Sequence, residues 1–289
     1  MTIHQSHNRT RRLTSGIALV AIAGLGLAGP TVASAATHAP HPAAARTAAP
    51  KPTIVLVHGA WADASSFTAV TRRLQHDGYK VLDAPNPLRG LDNDAANVAA
   101  FVNQATTGPV VLVGHSYGGS VITNAATTTP RVKALVYIDA YAPAEGESTI
   151  QLTGAVPGSA LAVQDPTKVF NFVQYPGAPN GDVDAYVKRG LFKGIFAAKL
   201  PTPEARVLAA GQSPIALSAL LAPSKAPAWT TIKSFFFIGT NDKVLPAAEQ
   251  VAMAKRAHGV IVKHRADHLS MLEAPEQVSA LIERAARVK

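Results

Sequence analysis

The run Val110-Val111-Leu112-Val113-Gly114-His115-Ser116-Tyr117-Gly118-Gly119 sets the fold of this chain. Its branched apolar residues predict a buried strand, and the following Ser120–Ala126 predicts a helix. Between them stands a serine with a glycine two positions before it and another two positions after it. A serine on a sharp strand-to-helix turn has strained backbone geometry, so those two neighbours must be small. We therefore interpret the run as a nucleophile elbow, which raises the Ser116 hydroxyl clear of the sheet.

Strand patterns alternate with helix patterns on both sides of this run, up to about residue 142 and again from residue 231. Alternation of this kind predicts an α/β fold with a mainly parallel sheet that helices cover on both faces. Besides the strand of the elbow, five strands are predicted. They are Thr53–Val57, Lys80–Ala84, Val132–Ile138, Ile232–Gly239 and Val260–Lys263.

The composition is that of one large folded domain. The chain has 289 residues, of which 47% are hydrophobic, enough for a full core. The formal charge of +9 raises nucleic acid as a partner, but the basic residues are scattered apart from Arg9, Arg11 and Arg12. A mildly basic solvated surface is preferred, so no nucleic-acid partner is predicted. The absence of cysteine excludes disulfides, a thiol nucleophile and thiolate zinc sites.

The beginning of the chain has the pattern of a secretory signal over residues 1–35. Arginines precede an apolar run from Leu13 to Leu27, and Ala33-Ser34-Ala35 supplies the small residues of a cleavage site. The apolar run is shorter than the ~20 residues that span a bilayer, so no membrane association is expected after cleavage. Residues 36–52, rich in alanine and proline, are predicted to be an extended leader. We therefore expect a secreted protein, exported by the ordinary route rather than the twin-arginine route.

The alternation stops between about residues 143 and 230. This segment is rich in glycine and proline, with short helical patterns at Asp184–Phe196 and Pro203–Ala209. So long a segment without sheet strands, after the strand that follows the elbow, is best explained as a helical cap inserted above the carboxyl edge of the sheet. Six aromatic side chains of the cap could wall an apolar pocket, although any one of them is more typical of cap core. They are Phe170, Phe172, Tyr175, Tyr186, Phe192 and Phe196.

Three residues just beyond predicted strands are candidates for a catalytic triad. An activated serine needs a base within hydrogen-bond reach and an acid that fixes the tautomer of that base. Ser116, His268 and Asp242 meet this need at the edge of the sheet where such folds collect their ligands. Asp139 also ends a strand and competes as the acid, but Asp242 is preferred because this acid most often follows the later strand. Asp267 is the direct neighbour of His268 and is poorly placed to reach its ring.

An oxyanion formed at Ser116 would need two backbone donors. We predict that they are the N–H groups of Tyr117, directly after the serine, and of Ala60, in the turn after the first strand. In the same turn, His58 is expected to brace the loop rather than transfer protons. Trp61 is expected either to line the entrance of the site or to pack beneath the loop.

Two histidines, His264 and His268, have the spacing of a zinc pair on a helix. The pattern there is a strand followed by a loop, so no metal site is predicted. No cofactor is predicted either.

Four segments together resemble the α/β-hydrolase branch that includes plant methylesterases and hydroxynitrile lyases. They are His58-Gly59-Ala60, Gly114–Gly119, Thr240-Asn241-Asp242-Lys243 with Pro246, and Ala266-Asp267-His268. The resemblance covers about residues 53–142 and 231–287, and it implies an α/β-hydrolase fold. It also implies the same triad and the same two oxyanion donors.

The resemblance separates ester hydrolysis from cyanohydrin cleavage at three positions. The lyases typically have Thr where this chain has Gly59, Glu where it has His115, and Lys where it has Leu269. Each difference favours an esterase, because a lysine at position 269 would stabilise departing cyanide and a leucine cannot. The expected function is that of a secreted serine carboxylester hydrolase acting on small, fairly hydrophobic esters or lactones. The alternatives are a carbon–carbon or cyanohydrin lyase on the same fold and a non-catalytic binding protein.

Overall fold

Residues 50–288 are described by a computed structural model of the chain. The predicted signal, residues 1–35, and most of the predicted leader, residues 36–52, lie outside the described residues. In the described part nine strands occur. They are β1 (Thr53–Val57), β2 (Val81–Asp83), β3 (Val110–His115), β4 (Val132–Ile138), β5 (Phe170–Gln174), β6 (Val183–Val187), β7 (Ile215–Ala216), β8 (Ser234–Gly239) and β9 (Val260–His264).

Six of these strands form the main sheet, in the spatial order β2-β1-β3-β4-β8-β9. All neighbouring pairs are parallel. The predicted parallel sheet is therefore confirmed, and the predicted strand bounds differ from the observed ones by at most two residues. The order places β3, the strand of the elbow, between β1 and β4.

Ten α-helices connect and cover the strands in the described residues. They are α1 (Thr68–His76), α2 (Leu91–Ala105), α3 (Tyr117–Ala125), α4 (Thr149–Thr153), α5 (Arg189–Phe196), α6 (Thr202–Gly211), α7 (Leu217–Leu221), α8 (Ala247–Arg256), α9 (Ser270–Glu273) and α10 (Pro275–Ala286). None of the helices between residues 50 and 288 has both the length and the apolar character needed to cross a membrane.

The core lies on both faces of the main sheet. Every residue of β3 and β8 is buried, and successive side chains of a strand point to opposite faces. Continuous burial therefore requires cover on both sides. Helix α1 packs on α10 and α2 packs on α3, while α3 and α10 both contact β3 and β4. Branched and aromatic residues fill this space, and Tyr137 stacks on Phe236 with ring centroids 4.6 Å apart.

The cap contains helices α4 to α7 and also a small antiparallel sheet in the order β5-β6-β7. The expectation that this segment has no strands is wrong. The helix predicted over Asp184–Phe196 is wrong in its first part, because Val183–Val187 forms β6 and α5 begins only at Arg189. Pairing with β5 and β7 determines this strand, and local sequence does not reveal it.

An ion pair joins the cap to the main domain. The Arg89 guanidinium, in the loop before α2, binds the Asp184 carboxylate of β6. The same guanidinium lies over the ring of Tyr175, 4.6 Å from its centroid. Asp184 is buried, so these contacts fix one side of the cap above the carboxyl edge of the sheet.

Candidate active site

Ser116 stands at a sharp turn between β3 and α3. Its backbone has φ 52° and ψ −125°, a strained conformation that costs about 1–3 kcal/mol for a residue other than glycine. A Cβ on Gly114 would lie 2.5 Å from the carbonyl oxygen of Gly118. A Cβ on Gly118 would collide with the carbonyl oxygen of Val57. Both flanking glycines are therefore required for this turn to pack.

The structure brings the three triad candidates into one hydrogen-bonded chain. His268 Nε2 is 2.9 Å from Ser116 Oγ, and His268 Nδ1 is 2.8 Å from Asp242 Oδ2. A carboxylate accepts, so we assign the ring proton to Nδ1, which leaves Nε2 to accept the hydroxyl proton of Ser116. All three side chains are buried. Each comes from the loop after a different strand, namely β3, β8 and β9.

Asp242 is held by more than the histidine. Its Oδ1 accepts from the N–H groups of Val244, at 2.7 Å, and Leu245, at 3.0 Å. Its Oδ2 also accepts from Gln250 Nε2 at 2.9 Å. Burial raises the pKa of Asp242, while the three N–H donors act in the opposite direction. Gln250 was not predicted; its position on the buried face of α8, soon after Asp242, is the signal that could have revealed it.

The imidazole of His268 packs against two other rings. The centroid of the His115 ring is 4.8 Å away, and the Phe196 ring of the cap meets the imidazole edge-on at 5.4 Å. Burial lowers the pKa of His268 to about 3. The adjacent Asp242 carboxylate favours the protonated form and acts against this shift. The imidazole is therefore neutral near pH 7 and able to accept a proton.

Neither of the other two carboxylates contacts the ring of His268. Asp139 accepts from the backbone N–H of Gly239 at 2.7 Å and of Ser270 at 3.1 Å, so it ties the end of β8 to the loop that carries the histidine. Burial raises the pKa of Asp139. Asp267 accepts from the N–H of Lys199 in the cap at 2.9 Å.

The two predicted oxyanion donors lie beside Ser116. Tyr117 follows it at the first position of α3, and its hydroxyl donates to the buried Asp94 at 2.8 Å. The turn that carries Ala60 approaches so closely that a Cβ on Gly59 would lie 2.7 Å from the Cβ of Ser116. Within the described residues, the N–H groups of Ala60 and Tyr117 have no acceptor. Both are therefore free to donate to an oxygen at Ser116.

Three other histidines lie at the carboxyl ends of β1, β3 and β9 and are not members of the triad. His58 Nδ1 contacts the carbonyl of Gly59 at 2.9 Å, and Asn86 donates to the carbonyl of His58 at 2.8 Å. His115, missed as a contributor by the sequence analysis, uses Nε2 to donate to the carbonyl of His268 at 3.0 Å. His264 ends β9, and its ring packs against Phe237.

Above Ser116 the cap encloses an apolar cavity of about 310 Å³. No charged side chain of the described residues lines it. The lining comes from the main domain (Ala60, Trp61, Ser116, Tyr117, Tyr141) and from the cap (Thr149, Ile150, Thr153, Leu161, Ala162, Val163, Pro166, Phe170, Phe172, Ala185, Leu217, Leu220, Leu221).

The six cap aromatics divide between wall and core. Phe170 and Phe172 line the cavity. Phe192 and Phe196 are buried in the cap and stack on each other at 4.8 Å. Tyr175 and Tyr186 lie away from the cavity, Tyr175 beneath the Arg89 guanidinium. Trp61 lines the cavity, which agrees with the first of its two predicted positions, and its ring stacks on Phe170 of the cap.

A parallel sheet with a strained serine turn and a histidine–aspartate pair at its carboxyl edge is the plan of an α/β hydrolase. The alpha/beta hydrolase family model matches residues 54–281. The chain belongs to this family, as the resemblance in the sequence predicted.

Two relatives are similar to the chain in sequence. The chain is 34% identical over 110 residues to a carbendazim hydrolyzing esterase of Nocardioides sp. (strain SG-4G), an alignment that covers 34% of this chain and 46% of the esterase. It is 28% identical over 256 residues to the alpha/beta hydrolase nvfD of Aspergillus novofumigatus, covering 82% of this chain and 97% of that protein. The chain thus aligns with less than half the length of the first relative and nearly all of the second.

Two solved structures show the same fold. Polyneuridine aldehyde esterase superposes with a TM-score of 0.68 at 18% identity, over 81% of this chain and 99% of that one. The methylesterase MES16 from Arabidopsis superposes with a TM-score of 0.64 at 17% identity, over 81% and 98%. The neighbours therefore include the methylesterases that the sequence resembles.

Proposed function

We propose that the chain is a secreted serine carboxylester hydrolase that acts on small, uncharged, fairly hydrophobic esters or lactones. One observation carries the proposal: a buried chain of contacts runs from Asp242 through His268 to Ser116 Oγ at the floor of an apolar cavity. The esterase named among the relatives supports the reaction class. The proposed mechanism uses the side chains of the triad and the two backbone N–H groups beside Ser116.

In the first half of the reaction, Ser116 Oγ attacks the ester carbonyl while His268 Nε2 takes its proton. The carbonyl oxygen becomes an oxyanion that the N–H groups of Ala60 and Tyr117 stabilise. Asp242 stabilises the imidazolium that forms. The tetrahedral intermediate then expels the alcohol, which receives its proton from His268, and an acyl-enzyme remains on Ser116.

In the second half, water replaces the alcohol. His268 removes a proton from the water as its oxygen attacks the acyl carbon, and the same two N–H groups bind the second oxyanion. Collapse of this intermediate breaks the bond to Ser116 Oγ, which takes back the proton from His268. The carboxylic acid leaves and the free enzyme is restored.

Two observations weigh against the lyase alternative. A Cβ on Gly59 would already lie 2.7 Å from the Cβ of Ser116, so a threonine at position 59 would need the turn to move. Leu269, directly after the histidine, is buried and uncharged, and it cannot stabilise a cyanide leaving group. A non-catalytic binding protein would not need the three aligned hydrogen-bonding groups.

The test uses the full chain, produced with its own N-terminal segment. A secreted esterase is expected in the medium with a new N-terminus near Ala36, labelled by a fluorophosphonate probe and active on p-nitrophenyl esters of short acyl chains. Cyanide release from a cyanohydrin with little ester hydrolysis would favour the lyase. Absence of both probe labelling and turnover would favour the binding protein.

We expect a negative charge on the acyl chain of the substrate to lower kcat/KM. p-Nitrophenyl hemisuccinate should be hydrolysed with a kcat/KM about 100-fold below that of the valerate ester, because a carboxylate placed among apolar side chains loses its hydration without a partner. Both esters have the same leaving group, so the comparison isolates the acyl chain. Equal kcat/KM values would contradict an acyl chain bound in the cavity.

Two arginine substitutions, one at the cavity and one outside it, provide a matched pair of variants for this test. Leu221 lines the cavity and is 52% exposed, so Leu221→Arg should narrow the difference between the two esters. Val207, on the outside of the cap, is 71% exposed and does not line the cavity. Val207→Arg adds the same charge and should leave the ratio of the two kcat/KM values unchanged.

We expect the acidic limb of the pH profile of kcat/KM to have an apparent pKa below 6.5, the value of an unperturbed histidine. Only the neutral imidazole of His268 accepts the Ser116 proton, so activity is present above its pKa and lost as the pH falls through it. Burial lowers that pKa. Activity recovered on return to pH 7 controls for unfolding. An acidic limb at or above 6.5 would contradict the expectation.

A further inference from the structure

Trp61, the residue after the predicted oxyanion donor Ala60, has an unusual backbone. Its φ is 57°, in the left-handed region that a bulky side chain seldom adopts. Such a conformation persists only where the surrounding contacts determine it. The contacts of Trp61 therefore also hold the peptide bond between Ala60 and Trp61, and they restrain Ala60, whose own N–H lies one peptide bond earlier.

Those contacts are made to the cap. The backbone N–H of Trp61 donates to the carbonyl of Ser213 at 2.8 Å, and its indole Nε1–H donates to the carbonyl of Ala185 in β6 at 2.8 Å. The indole ring stacks on Phe170 with centroids 5.4 Å apart and meets Phe196 edge-on at 5.7 Å. One backbone hydrogen bond, one side-chain hydrogen bond and two ring contacts thus join this residue of the main domain to the cap.

The same part of the cap reaches the other side of the candidate site. The ring of Phe196, which contacts Trp61, also lies edge-on to His268 at 5.4 Å. One aromatic cluster of the cap therefore contacts both the turn that carries the oxyanion donor and the base.

We propose that Trp61 is a positioning residue through which the cap aligns the Ala60 N–H with the oxyanion. The inference rests on the proposed ester hydrolysis and goes beyond it, because it makes the cap part of the transition-state machinery as well as the wall of the cavity. The indole N–H bond to Ala185 fixes the ring, and the ring and the bond to Ser213 fix the left-handed backbone of Trp61. That backbone holds the peptide between Ala60 and Trp61, and so restrains Ala60 and the N–H that it carries one peptide bond earlier.

The test is Trp61→Phe in the full chain, which keeps an aromatic ring and removes the N–H donor. We expect kcat for p-nitrophenyl butyrate to fall by about 10- to 100-fold with KM within about twofold, because a displaced oxyanion donor weakens binding of the transition state alone. The affinity for an alkyl trifluoromethyl ketone, whose adduct with Ser116 bears an oxyanion, should fall by the same factor. Inhibition by the matched methyl ketone should not change.

The second tryptophan supplies a matched control. Trp229 Nε1 donates to the carbonyl of Pro143 at 2.9 Å, and this residue does not line the cavity. Trp229→Phe removes an equivalent hydrogen bond and should leave kcat and the affinity for the trifluoromethyl ketone at wild-type values. If Trp61→Phe fails to fold, 3-benzothienylalanine at position 61 preserves the bicyclic ring and lacks only the N–H.

Wild-type kcat in Trp61→Phe would overturn the inference. A lower kcat with unchanged affinity for the trifluoromethyl ketone would also overturn it, since the loss would then not lie at the oxyanion. Failure of the proposed function itself gives a different result, because the wild-type chain would then show no serine-dependent turnover.

Discussion

Replacing Ser116 with alanine is expected to lower kcat for ester hydrolysis by about 10⁴- to 10⁶-fold, the largest effect of any single substitution in this chain. The change removes the oxygen that forms the acyl-enzyme and leaves only water attack assisted by the oxyanion donors. The backbone bonds of residue 116 to Gly119 and Tyr141 do not involve the hydroxyl. The free energy of unfolding should therefore change by less than about 1 kcal/mol.

A second buried serine controls for the loss of a hydroxyl. Ser279, on α10, is buried, and its Oγ has no partner among the described residues. Ser279→Ala should keep wild-type kcat and fluorophosphonate labelling, whereas Ser116→Ala should lose both. Full activity in Ser116→Ala would require another nucleophile and would refute the proposed mechanism.

The second large effect is expected at the acid. Asp242→Asn should lower kcat by about 10⁴-fold, as the equivalent change does in serine proteases. The amide oxygen can replace Oδ1 as acceptor for the N–H groups of Val244 and Leu245. Its NH₂ then faces both Gln250 and the ring of His268, so the ring must present an acceptor at Nδ1. The proton moves to Nε2, and the base can no longer accept from Ser116.

Asp139→Asn separates the two candidate acids. Asp139 accepts two backbone N–H bonds and does not contact the His268 ring. In Asp139→Asn the NH₂ group replaces one of the two carboxylate oxygens, so it faces a backbone N–H that then has no acceptor. We expect the free energy of unfolding to fall by about 1–3 kcal/mol. We expect kcat to remain within about tenfold of wild type, because the tautomer of His268 is unaffected. A large kcat loss in Asp139→Asn with little in Asp242→Asn would assign the acid to Asp139.

The three triad candidates could be located from the sequence because each has a local sequence signal. Ser116 is bracketed by the two glycines its turn requires, and Asp242 and His268 each follow an apolar strand. The three residues are far apart in the chain, but the carboxyl ends of parallel strands lie at the same edge of a sheet, so the distance in sequence does not prevent the prediction. The fold class could be predicted for the same reason.

The supporting contacts could not be predicted in this way. The bond from His115 to the carbonyl of His268 joins residues 153 positions apart, and the bond from Trp61 to Ala185 joins residues 124 apart. Neither partner carries a sequence signal for the other. The segment of β6 was predicted to begin a helix. It forms a strand because it pairs with β5 and β7, and the local sequence pattern does not indicate that pairing.

The groups around Ser116 come from the loops after β1, β3, β8 and β9, so a partly folded chain that lacks any of these strands would also lack part of the candidate site. The complete site forms only when β1 and β9, the first and last strands along the chain, have both paired into the main sheet. Turnover in a denaturant titration would consequently report on the complete native state and follow global unfolding. Activity would therefore depend on contacts between residues that are far apart in the chain.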